Sequence, residues 1–139
     1  MSEVNSRRFD HIDLRVTSLA EALPFYENFL RALGFTRISG EGDWRTFSLA
    51  KPDPTEFVWI VEAPAHRPSD NRIALWADSR EEVKRIAKIV ADAGGRVLEG
   101  PELCVDYSPN YYAFFFEDPC GNRWEICCRG AGDGPAGFA

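Results

Sequence analysis

Between residues 9 and 16 the chain alternates, with Ile12, Leu14 and Val16 on one side and His11, Asp13 and Arg15 on the other, because successive side chains of a strand point to opposite faces. One face can pack against helices and the other must meet water, a ligand or a cavity. Directly afterwards, Ser18-Leu19-Ala20-Glu21 has capping-box spacing, which predicts a helix opening at Ser18 and stopping at Gly34. Leu19, Leu23, Tyr26, Leu30 and Leu33 recur at spacings of four and three residues and form one buried face. Pro24 removes a backbone donor inside this helix and predicts a kink or a loose first turn. Strands at 35–39, 44–50 and 56–62 follow, separated by the turn-forming GEGD and KPDP segments.

The opening unit repeats. A shift of 61 positions carries His11 onto Arg72, Ile12 onto Ile73, Leu14 onto Leu75, Ser18 onto Ser79, Glu21 onto Glu82 and Gly34 onto Gly95. After a loop at 63–71 containing Pro64, His66 and Pro68, a strand at 72–77 leads into a helix from 79 to 94, with Val83, Ile86, Ala87 and Val90 facing inward. A short strand at 96–99, an irregular stretch through Tyr107-Ser108-Pro109, a strand at 111–117, the turn DPCGN and a strand at 123–128 complete the second unit. The expected fold is α+β: one domain over 1–128 made of two β-α-β-β-β modules, at about 8–62 and 72–128, each a twisted sheet with a helix on its convex face. The Gly- and Ala-rich tail, 129–139, is expected to be flexible. Alternation puts Arg72, Ala74 and Trp76 on the face equivalent to that of His11, and Glu125 with Arg123 and Cys127 on the open face of the last strand.

With 45% hydrophobic residues in 139, the chain has material for a real core. A net charge of −6 without a basic stripe argues against nucleic acid, which needs clustered Lys and Arg. The absence of long apolar runs argues against a membrane span, and an N-terminus without an apolar h-region leaves the cytoplasm as the expected compartment. Cys104, Cys120, Cys127 and Cys128 form no CxxC pair, so reduced thiols are expected and a zinc knuckle is not.

The runs FDHIDLRVTSL and ALPFYENFLRALGF near the start, with YSPNYYAFFFEDPCGNRWEI near the end, resemble the vicinal oxygen chelate superfamily, the glyoxalase, bleomycin-resistance and extradiol-dioxygenase group. The resemblance spans about residues 8 to 128. It implies paired βαβββ modules forming a cupped mixed sheet, a homodimer, and a divalent metal (zinc, nickel, manganese or iron) held from the first and last strands of modules. The metal positions match His11, Arg72 and Glu125. His11 and Glu125 have the right chemistry, but Arg72 has no lone pair to give. At roughly 6 Å its charge would oppose a dication by about 5 kcal/mol at an effective dielectric near 20. Arg72 should instead pair with Glu125 across neighbouring strands.

Three readings follow from the resemblance. The first is a glyoxalase-like enzyme, a lyase or isomerase acting on a carbonyl or enediolate, with Glu125 moving the proton and Arg72 able to stabilise an oxyanion. The second is a metal-free, bleomycin-resistance-like protein binding an aromatic or cationic compound, and the third an extradiol dioxygenase. Trp44, Trp59, Trp76, Tyr107, Tyr111 and Tyr112 are the candidate walls of the small-molecule site, although strands collect aromatics for packing alone. His66 and Glu62 are expected to be solvated, Glu56 is a possible carboxylate from the first module, and no function is assigned to Cys120.

Overall fold

The computed structural model describes residues 8–52 and 54–130. The chain runs β1 (His11–Val16), α1 (Leu19–Ala32), β2 (Arg37–Ser39), β3 (Trp44–Ser48), β4 (Phe57–Glu62), β5 (Arg72–Trp76), α2 (Arg80–Asp92), β6 (Arg96–Leu103), β7 (Tyr112–Glu117) and β8 (Arg123–Cys128). Two mixed four-stranded sheets result, ordered β1-β4-β3-β2 and β5-β8-β7-β6. In each, the strand before the helix lies parallel to the last strand of its module and the other pairings are antiparallel. The two-module α+β expectation is met.

The helix starts follow the caps. Ser18 Oγ accepts from the Glu21 amide at 3.2 Å and Ser79 Oγ from the Glu82 amide at 3.1 Å. Glu82 also accepts from the Asp78 amide at 2.7 Å. In the first module that help comes from β4, where Glu62 Oε1 accepts from the Leu19 amide at 2.9 Å. Glu62 is therefore a capping carboxylate rather than a merely solvated one, its charge placed where the helix dipole favours it.

The helix stops correct the repeat by one residue. Gly34 and Gly94, not Gly34 and Gly95, share the left-handed conformation, with φ of 96° and 98°, so α2 is one residue shorter, 13 against 14. Gly95 is needed for closeness instead: a Cβ there would meet Val90 Cγ1 at 2.5 Å and Phe25 Cε1 at 2.8 Å. α1 runs without a break through Pro24. β6 is longer than expected, because register shifts between Val97 and Glu99 and between Glu99 and Glu102 let the strand rejoin its ladder as far as Leu103.

One core joins both sheets. Leu14, Val16, Phe47, Val58 and Ile60 of the first sheet, both helices, and Phe114, Phe116, Trp124 and Ile126 of the second form a single buried cluster. α1 buries a wider face than its leucine stripe announces, with Phe25, Tyr26 and Phe29 fully inaccessible and Leu23 and Leu33 only partly covered. Phe29 packs against Phe116 and Trp124 with ring centroids 5.1 and 5.3 Å apart. At about 2–3 kcal/mol for each large apolar side chain removed from water, these contacts make α1 as much a part of the second module as of the first. α2 buries Val83, Ile86, Ala87 and Val90, as its periodicity predicts. Among the described residues no helix is long and apolar enough to cross a membrane.

Candidate functional site

Because the core-facing residues of both sheets meet around the two helices, the opposite faces both look outward. On the first sheet, register puts His11 beside Phe57, and Asp13 beside Trp59, with Trp44 and Thr46 farther across the same face. The His11 ring stacks on Phe57, 4.6 Å between centroids and 5° from parallel. Its Nδ1 lies 2.7 Å from Asp10 Oδ1 and its Nε2 3.3 Å from Asp13 Oδ1, so both ring nitrogens have a carboxylate neighbour.

On the second sheet, register places Ala74 and Phe115 on either side of Glu125, with Trp76 and Ala113 flanking Cys127. Glu125 is only 3% exposed. Burying a carboxylate demands partners, and it has two: Arg72 Nε stands 3.2 Å from Oε1, and the Tyr111 hydroxyl donates to Oε2. The Arg72 guanidinium lies over the Phe115 ring, 4.6 Å from its centroid. Burial, followed by the hydrogen bond to Glu125, pushes the Tyr111 hydroxyl well above its ordinary range, so Tyr111 holds its proton as a donor. Burial likewise raises the Cys127 thiol. Arg129 stacks on Tyr111 and Trp76, at 5.1 and 5.7 Å, and exposed Tyr107 meets Tyr111 edge-on at 5.1 Å.

The candidate residues therefore divide into two groups. Arg72, Glu125, Tyr107, Tyr111 and Trp76 share the second sheet's outer face or its border. His11, Trp44 and Trp59 share the first sheet's outer face and, among the described residues, have no partner in common with Glu125. Tyr112 belongs to neither: alternation turns it to the core side, opposite Cys128, where its ring receives the Arg80 guanidinium at 5.3 Å.

His66 is also more than a solvated loop residue. Its Nε2 lies 3.0 Å from Asn122 Oδ1, while Asn122 Nδ2 donates to the Arg15 carbonyl at 2.8 Å. Together they line a cleft of about 220 Å³ at the seam of the modules. This linkage crosses 56 residues of sequence, and no local pattern announces it. Cys120 sits in the same DPCGN turn, its amide donating to Asp118 Oδ1 at 2.8 Å. All four cysteines are free, and Cys127 and Cys128 face opposite sides of β8.

A divalent ion does not fit these residues within one chain. Both Glu125 oxygens are engaged, and the neighbour at Oε1 is the Arg72 guanidinium, which has no lone pair to give a metal. Among the described residues no three His, Cys, Asp or Glu side chains converge.

A family model described as the glyoxalase/bleomycin resistance protein/dioxygenase superfamily matches residues 8–126. The chain belongs to this superfamily. Solved structures share its fold. A glyoxalase/bleomycin resistance protein from Albidiferax ferrireducens T118 is 21% identical, with a TM-score of 0.70 over 87% of this chain and 98% of the other. A glyoxalase-related enzyme from Fulvimarina pelagi is 18% identical, at 0.70 over 96% and 99%. The fosfomycin resistance protein FosX from Mesorhizobium loti is 17% identical, at 0.63 over 91% and 93%. No curated protein matches. Within the superfamily fold, then, this chain pairs a carboxylate with a guanidinium and a phenol on the outer face of its second sheet.

Proposed function

We propose that this superfamily member binds a small organic molecule, without a metal, on the aromatic outer face of its second sheet. The observation that carries the reading is the double engagement of Glu125 by Arg72 and Tyr111, which satisfies the buried carboxylate without a cation from solution. Tyr107, Tyr111, Phe115 and Trp76 supply the apolar walls that such a ligand needs. A second copy of the chain is the natural cover for this face, since Trp76 and Tyr107 are 62% and 57% exposed. Light scattering on the eluting protein reads that directly, with a dimer expected and a strict monomer opposing it. The deciding experiment is calorimetric titration of chelator-stripped protein with nickel, zinc and manganese, beside Arg72→His. The reading requires no binding by the native chain, and tight binding that Glu125→Ala abolishes would overturn it.

A second reading, the glyoxalase-like enzyme, gains from the same geometry. A buried carboxylate beside a guanidinium is suited to moving a proton while the cation steadies the developing oxyanion. Loss of a lyase or isomerase activity in Glu125→Gln, with folding intact, would favour it.

A further inference from the structure

Arg72 is held but not used up. Its Nε faces Glu125 Oε1 at 3.2 Å and its plane rests on Phe115, yet among the described residues neither terminal nitrogen has a hydrogen-bond partner. Its side chain is 37% exposed, on the outer face. A guanidinium ion-paired through Nε and stacked on a ring is oriented before any ligand arrives. Its Nη edge presents two parallel N–H groups, the geometry that a planar carboxylate matches.

The charge around it is arranged to the same end. The lone carboxylate on β8 is matched by Arg72 itself, and Arg129 brings a second guanidinium against Tyr111 and Trp76. The exposed acids Glu99 and Glu102 lie on β6, at the opposite edge from Arg72 on β5, and exposed Asp106 follows in the loop after β6, beside Tyr107. The face is thus cationic at its β5 side and acidic at its β6 side. That polarity orients a ligand more strongly than the net charge of −6 repels it, because charges beyond about 10 Å are screened at ordinary ionic strength.

From this we infer that the ligand of the metal-free face is an aromatic carboxylate, its carboxylate received by the Nη edge of Arg72 and its ring laid among Tyr107, Tyr111 and Trp76. The inference rests on the metal-free reading and specifies its substrate class. It replaces the cationic ligand that the overall charge suggests.

The test uses three isosteric probes, benzoate, benzamide and benzamidine, titrated by calorimetry into chelator-stripped full-length protein. Benzoate is expected to bind about tenfold or more tighter than the neutral amide, the worth of one charge-assisted hydrogen bond, and benzamidine weakest. Arg72→Gln should bring benzoate down to the level of benzamide. Because that variant leaves the buried Glu125 carboxylate without its cation, the double variant R72Q/E125Q serves as the folded control and should show the same loss. Preference for benzamidine, silence from all three probes, or benzoate binding retained in R72Q/E125Q would overturn the inference. Benzoate binding that appears only after nickel, zinc or manganese is restored would instead overturn the metal-free reading beneath it.

Discussion

The Tyr26 hydroxyl of α1 donates to Asp118 Oδ2 at 2.5 Å, joining residues 92 positions apart. It also accepts from Trp124 Nε1 at 2.9 Å. This one phenol therefore ties the helix of the first module to the DPCGN turn and the last strand of the second. Burial, with Asp118 alongside, holds the hydroxyl well above its ordinary range, so it stays a donor.

Tyr26→Phe keeps the ring and removes the oxygen, leaving the Trp124 N–H without its acceptor and Asp118 short of one donor. A loss of about 2 kcal/mol is expected, the cost of unsatisfied buried polar groups. Urea unfolding should show the lowered midpoint with an unchanged m-value, and no lowering would mean that water replaces the hydroxyl.

At the outer face, Arg72→Gln should destabilise by about 1–2 kcal/mol, a discounted figure because Arg72 is partly solvated. Adding Glu125→Gln should recover part of that loss, since the stranded charge is then gone. A double-mutant cycle measures the coupling, and strict additivity would show that Arg72 and Glu125 do not depend on each other.

Alkaline pH should unfold the protein progressively. Tyr26 and Tyr111 are raised above the ordinary tyrosine value of 10.0, and Cys127 above the ordinary thiol value of 9.0. In each case the folded chain keeps a proton that the unfolded chain releases. Their contribution is complete below pH 9 and falls as pH rises through 9 to 10, by at most about 1.4 kcal/mol per group per pH unit. Thermal melts between pH 8 and 11 should show the decline, and Tyr111→Phe should make it shallower.

The two glycines after α2 should fail differently. Gly94→Ala meets nothing within 4 Å but forces a side chain onto φ of 98°, a backbone cost of about 1–2 kcal/mol that Asn relieves. Gly95→Ala instead collides with Val90 and Phe25, and Val90→Ala in the same chain should partly rescue it. Rescue of Gly94→Ala by Val90→Ala would contradict this division.

Local rules made much of this fold legible. Ser18 and Ser79 announce their helices through capping geometry confined to four residues, and the alternation in residues 123–128 separates Glu125 from Trp124 correctly. Gly94 and Gly95 were ambiguous because both are glycine, whereas one answers a dihedral demand and the other a packing demand. Only the first half of β6 is legible, because its bulges interrupt the period by which a strand is read. The separation of His11 from Glu125 depends on which sheet Phe25 and Phe29 cover, a long-range choice that helical periodicity does not encode. Tyr112 and Tyr111 are adjacent in sequence but lie on different sides, so composition alone could not say which one reaches the carboxylate.

Since α1 fills the space between the sheets, the two halves of the duplication share one folding fate. A fragment ending in the loop 63–71 would leave Phe25 and Phe29 without the Phe116 and Trp124 rings they pack on, so neither half is an excisable domain. Among the described residues the outward faces carry no such bond to one another. A substitution on one face, at Arg72 for instance, leaves the other face and the common interior as they are, so such a chain can change its ligands without rebuilding its fold.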